Sequence, residues 1–312
     1  MRWFPVVVVG AVALALASCG TQTDPSGDGS STAASPDDAA GSEPASSSQV
    51  VDPDGELVAH GILMQSEPEG EVEICIGGVA ASLPPQCGGP VLEGDFSWDQ
   101  VEARTASGVT WTDESYYAVG HYTAGESFEG TITLTRPVSA DPPEGFTMPT
   151  VDDVTFPQLC DDPTADVPDV DQAARTEGPD GFAQEQALME RLQSLDGYVT
   201  SWVTDGGPLV KVVVSGDPGE ARTALREVYQ GPLCVVQRDL PTQHDIQSAQ
   251  EALSAQHGEV RLLSSGSGGT SGLLEVGVVL ADRATVQRIQ EIVSPWLTPE
   301  QVVITGALQP LG

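Results

Sequence analysis

The chain has 312 residues, 46 of them acidic and 12 basic, for a formal charge of −34, and Lys211 is its only lysine. Such an excess repels nucleic acid and anionic headgroups at long range and offers no basic patch to exchange for counterions, so nucleic-acid binding is excluded. Once a leader and a linker are set aside, roughly 260 residues remain, enough for two or three small domains.

The chain opens with Arg2, an apolar run from Val6 to Ala17, and Leu16-Ala17-Ser18-Cys19-Gly20. One cation ahead of a short apolar segment suits a secretory signal, and the run is too short for a stable membrane span. The tetrapeptide ending on Cys19 is similar to the signal of bacterial lipoproteins. That resemblance implies a signal peptide over 1–18, two or more acyl chains at Cys19, and attachment to the outer face of the cell membrane. The alternative is a plain secretory signal cut elsewhere, with Cys19 discarded.

Residues 19–50 are rich in Ser, Gly, Pro, Ala and Asp, with no large apolar residue before Val50. Nothing there can be buried, so the stretch is expected to be a flexible tether. Over 51–140 the pattern changes to short alternating segments (ELVAHGILMQ, EVEICIG, SGVTWT, YYAVGHYTA, SFEGTITLTR) separated by Gly and Pro. This predicts a small all-β barrel or sandwich, with an oligonucleotide/oligosaccharide-binding-like barrel as the first choice. The last two segments predict a hairpin turning at Ala124-Gly125-Glu126, with Tyr117, Val119 and His121 on one face and Tyr116, Ala118 and Tyr122 on the other. His60, Trp98, Trp111, His121 and Tyr122 are the candidate ligand surface; the alternative is that these aromatic residues form the core of a domain poor in other large side chains.

Residues 141–180 read as a Pro- and Asp-rich linker, in which Phe156, Leu159 and Cys160 look like an extended segment pinned onto a neighbouring domain. Asp161, Asp162, Asp166, Asp169 and Asp171 lack the spacing of a calcium loop. With Cys19 set aside, four cysteines remain, an even number that in an exported chain argues for disulfides. Cys75 and Cys87 bracket a loop of the length that a local bridge closes, which leaves Cys160 to pair with Cys234. A zinc site using Cys75, Cys87 and His60 or His121 matches no standard spacing.

From 181 the character becomes α+β. FAQEQALMERLQSL places Phe182, Leu188, Leu192 and Leu195 at helix-like intervals, with Gly197 as its stop. GYVTSWVT and PLVKVVVS follow as strands around Asp205-Gly206-Gly207. DPGEARTALREVY then reads as a helix and PLCVVQR as a buried strand. The order helix, strand, strand, helix, strand over 181–240 recurs over 241–312 in TQHDIQSAQEALSAQ, GEVRLLSS, GLLEVGVVL, ADRATVQRIQEIVSPW and QVVITGAL, and predicts a duplicated module. VVVSGDPGEARTALREVYQGPLCVV and LLEVGVVLADRATVQRIQEIV carry a similarity to BON domains, paired envelope modules. Ala281 stands where the first copy has Gly216. The resemblance implies binding of phospholipid or another envelope component, by apolar residues such as Trp296 because the modules are not basic.

No serine sits in a Gly-x-Ser-x-Gly elbow, and SGSGGTSG lacks the Lys-Ser/Thr of a phosphate loop. His244 and His257 are expected near a solvent-facing helix of the second copy. No cofactor or metal site is expected. The reading that follows is a noncatalytic, lipid-anchored envelope protein that binds or scaffolds a protein, glycan or lipid partner. The alternative is an envelope-acting hydrolase gathering His60 or His121 with carboxylates.

Overall fold

The computed structural model describes residues 50–125, 130–149, 156–161, 179–203 and 209–311. The expected signal, Cys19 and nearly all of the tether lie outside them, as do Glu126, Asp162, Asp166, Asp169, Asp171 and the Asp205-Gly206-Gly207 turn. The protein is mixed α/β with several sheets, and no described helix is long and apolar enough to cross a membrane.

Eight short strands form the first sheet: β1 (Leu57–Gly61), β2 (Leu63–Gln65), β3 (Glu73–Ile74), β4 (Val91–Glu93), β5 (Arg104–Ala106), β6 (Val109–Trp111), β7 (Tyr116–Thr123) and β8 (Thr131–Leu134). Their order is β1-β7-β8-β4-β3-β2-β6-β5, antiparallel except for the parallel pair β4–β8. The expected single strand ELVAHGILMQ is divided at Ile62. Its first half pairs with β7 and its second with β3 and β6, and because β1 and β2 are not paired with each other the strands form an open sheet and not the expected closed barrel. Two glycines permit the crossing. A Cβ on Gly61 would run into the carbonyl of Cys75, and one on Gly89 into that of Ile74. Alternation along β7 follows the expected faces, with Tyr116 and Ala118 in the core and Tyr122 packed against it. Val119, on the other face, is buried as well.

The second part begins with α1 (Pro179–Gln193), β9 (Tyr198–Val203), β10 (Val210–Val214), α2 (Pro218–Arg226) and β11 (Leu233–Gln237). Here β10 is central, antiparallel to β9 and parallel to β11. Gly197 (φ 73°) stands between α1 and β9, and Asp217 caps α2 by accepting from the amides of Gly219 (2.7 Å) and Glu220 (2.9 Å). Leu188, Leu192, Val212, Leu225 and Leu233 form the core between helices and sheet. Phe182, expected on the same apolar face, is instead 67% exposed. It lies six positions before Leu188, and at about 100° per residue that swings it a third of a turn away from the buried stripe.

The third part has α3 (Gln243–Ser254), α4 (His257–Val260), β12 (Leu262–Ser267), β13 (Leu274–Val278), α5 (Arg283–Val293) and β14 (Val302–Gly306). Here β13 is central, antiparallel to β12 and parallel to β14. Thr242 and Asp245 form a reciprocal capping box on α3, and Asp282 caps α5 through the Thr285 amide at 2.7 Å. The expected strand GEVRLLSS starts late. Val260 is drawn into the core as part of one helical turn, which ends on left-handed Arg261 (φ 48°) before β12 begins.

The tail then returns to the first sheet. A two-residue strand, β15 (Gln309–Pro310), pairs antiparallel with β1 and makes that sheet nine-stranded. Val279, Leu280 and Leu308 sit in the same apolar cluster as Leu57, Ala59, Leu63, Ile74 and Ile132, and the amide of Val51 donates to the carbonyl of Ala281 at 2.9 Å. The expected separation of the β-domain from the last module is therefore bridged by a shared interior.

Candidate functional site

The five residues of the expected ligand surface are not assembled into one patch. Trp111 is buried against Met64 and Cys75, with Nε1 donating to Asp113 Oδ1 at 3.3 Å. Trp98 lies in a 3-10 turn over 98–100, edge-on to Phe96 at 5.3 Å, and both pack on the main apolar cluster with half-buried Tyr122. Trp111 is core, Trp98 and Tyr122 are half-buried against it, and of the five only the two histidines are exposed.

His60 is exposed on β1, where the register puts it opposite Tyr117. Their rings lie 4.3 Å apart with planes inclined at 32°, and Tyr117 meets Phe146 edge-on at 6.0 Å, giving a row of three rings on the outer face. Burial against this row lowers the His60 pKa below its ordinary 6.5. His121 is exposed on the same face but four residues further along β7, about 13 Å at the strand's rise per residue. Its surroundings differ: Glu56 accepts from the Thr135 hydroxyl at 2.5 Å and from Arg136 at 2.9 Å. The Thr135 hydrogen bond, then the charges of Arg136 and His121, hold that carboxyl below the usual range. His60 and His121 thus do not meet.

A hydrolase would need a histidine near a buried acid. The buried polar or charged side chains among the described residues are Thr112, Thr200 and Lys211, with no carboxylate among them. Also among the described residues, no three Cys, His, Asp or Glu side chains converge as metal ligands. Cys75 is bonded to Cys87, which removes both from any zinc set. His244 lines a cleft of about 740 Å³ between α1 and α3 whose lining mixes Met189, Leu192 and Leu195 with Gln193, Asp196 and Thr242. No shape in it singles out a nucleophile and base.

The second cystine, Cys160–Cys234 (Cα–Cα 6.0 Å), fastens residues 156–161 across the face of β9–β11 that the helices leave open. Leu159 packs there against Val199, Trp202 and Val213, as the expected pinned segment requires, although Phe156 itself is 45% exposed. Sequence reasoning missed Lys211. It lies beside Cys234 in register, is 1% exposed, and donates Nζ to the Pro157 carbonyl at 2.8 Å and to Gln158 Oε1 at 3.1 Å. The signal was its place inside the apolar run Leu209–Val214, where only a satisfied ammonium is tolerated.

No protein-family model matches the chain, and no curated protein is similar to it.

Proposed function

We propose that this is a noncatalytic, lipid-anchored protein of the cell envelope, acylated at Cys19 and held at the extracytoplasmic face of the cell membrane. The observation that carries the reading is the pair of cystines, Cys75–Cys87 and Cys160–Cys234. Bridges of this kind persist in oxidising compartments, and the lipoprotein-like opening of the chain agrees with that location. Two acyl chains on one cysteine suffice for stable attachment, and the acidic surface keeps the tethered body clear of anionic headgroups.

The folded part is a partner-binding body. The nine-stranded first sheet, with its parallel β4–β8 pair, gives that body an open β layer. The matching strand order and direction of β9–β11 and β12–β14 support one α+β module used twice. The row His60–Tyr117–Phe146, exposed at His60 and half-buried at the other two rings, is the surface offered to a glycan or protein of the envelope, since aromatic rings recognise either. Metabolic labelling with a clickable fatty acid tests the anchor. The parent chain should take label and sediment with membranes, whereas Cys19→Ser should be unlabelled and soluble; equal partitioning of the two would refute it.

A further inference from the structure

Residues 74–92 carry no charge at all, in a chain whose formal charge is −34. They include the loop closed by Cys75–Cys87, stiffened further by the Ala80–Gln86 bridge (N–O 2.8 Å) and by the Ser82 hydroxyl donating to the Pro84 carbonyl at 2.8 Å. This rigid loop holds apolar side chains in water. Leu83 at its tip is 83% exposed and Val79 47% exposed. Beside its base is a recess of about 290 Å³ whose lining is likewise uncharged: Ile76 and Gly77 from the loop, and Leu263, Val278, Thr305 and Ala307 from the third part. Glu275, two residues from Gly277 and on the same sheet face by alternation, is exposed and is not part of that lining.

We infer that this face is where a second copy of the chain docks, each copy placing its Leu83 knob in the other's recess. Depletion of charge with apolar side chains kept exposed is the mark of an interface core. Two features favour a second copy over a foreign partner. A protruding apolar tip and an uncharged hollow on one face are self-complementary, which a two-fold interface requires. Two chains of charge −34 also repel wherever their acidic surfaces approach, and they can meet at least cost where charge is missing. A membrane fits less well, because the loop offers neither an aromatic nor a basic side chain to the headgroup region. The inference holds with or without the lipid anchor.

Photocrosslinking of the whole chain in its own cells tests it, with p-benzoylphenylalanine in place of exposed Ala81 so that Leu83 is kept. Irradiation should give an adduct of twice the chain's mass, its crosslinked peptide lying within 262–278 or 302–307. Leu83→Asp in the same background should cut that adduct at least tenfold while non-reducing mass spectrometry still finds both cystines. An adduct only with a different protein, a self-adduct mapped elsewhere, or no adduct would each overturn the proposal.

Discussion

Gly61 illustrates how one absent methyl group fixes a fold. The crossing of 57–65 under 74–75 brings backbone onto backbone, and a Cβ at residue 61 has only the Cys75 carbonyl to displace. Gly61→Ala should therefore cost about 1–3 kcal/mol, the usual range for overpacking, with no side chain able to give way; urea titration of the two proteins measures it. Lys211 is a different case. Lys211→Ala leaves the Pro157 carbonyl and the Gln158 amide oxygen without their donor and empties a packed site, for an expected loss of about 2–4 kcal/mol by the same measurement. His60 adds a pH dependence whose sign is set by burial, which keeps its folded pKa below 6.5. As pH falls through 6.5 the unfolded chain takes up a proton that the folded chain resists, so stability declines on the acid side and is unaffected above. Between pH 7.5 and 5.5 the parent should lose more stability than His60→Gln; equal losses would show that the imidazole is not responsible.

At the scale of elements, the two cystines differ in the length of chain they close: 12 residues of separation for Cys75–Cys87 and 74 for Cys160–Cys234. Loop-closure entropy makes the first worth about 3 kcal/mol and the second about 4 kcal/mol. Replacing Cys160 and Cys234 together by Ser should lower the melting temperature more than replacing Cys75 and Cys87, and it should free 156–161 to proteolysis between Phe156 and Leu159. These pairs were legible because a Gly/Pro loop of short span leaves one sensible partner for each sulfur. The helices were legible for an equally local reason: Asp217, Thr242 and Asp282 announce their starts, and Leu188 and Leu192 repeat at the right interval. What escaped was set by distant chain. The break at Ile62 answers to β3 (Glu73–Ile74) and β6 (Val109–Trp111), neither of which has a signature in ELVAHGILMQ. The helical turn 257–260 is imposed by the burial of Val260 against a sheet not yet written at that point in the sequence. Trp98 and Trp111 gave no sign of which face they occupy, since aromatic residues serve cores and surfaces alike, whereas alternation along β7 put Tyr122 with Tyr116 and Ala118. Only the strand register shows that His60 belongs with Tyr117, and only the tertiary ring contact adds Phe146.

For the whole molecule, the described residues from Val50 onward fall in one compact unit, and the interior around Leu57, Ile132, Val279 and Leu308 is continuous across the boundary that composition places near residue 140. The chain should accordingly unfold in a single calorimetric transition, its van't Hoff and calorimetric enthalpies agreeing, rather than as a β-domain followed by separate modules. Removing residues 308–312 should weaken that transition as a whole, because it takes Leu308 from the core and uncovers the outer edge of β1. The same closure sets an order of events during synthesis. A polypeptide that emerges amino end first presents β1 early, with one flank bare, and its hydrogen-bonding groups on that side must wait until nearly 250 later residues have been made. Until Gln309 and Pro310 arrive, the nascent chain carries an open β edge, and whatever guards it in the interval is as much a condition of its folding as any contact in the finished protein.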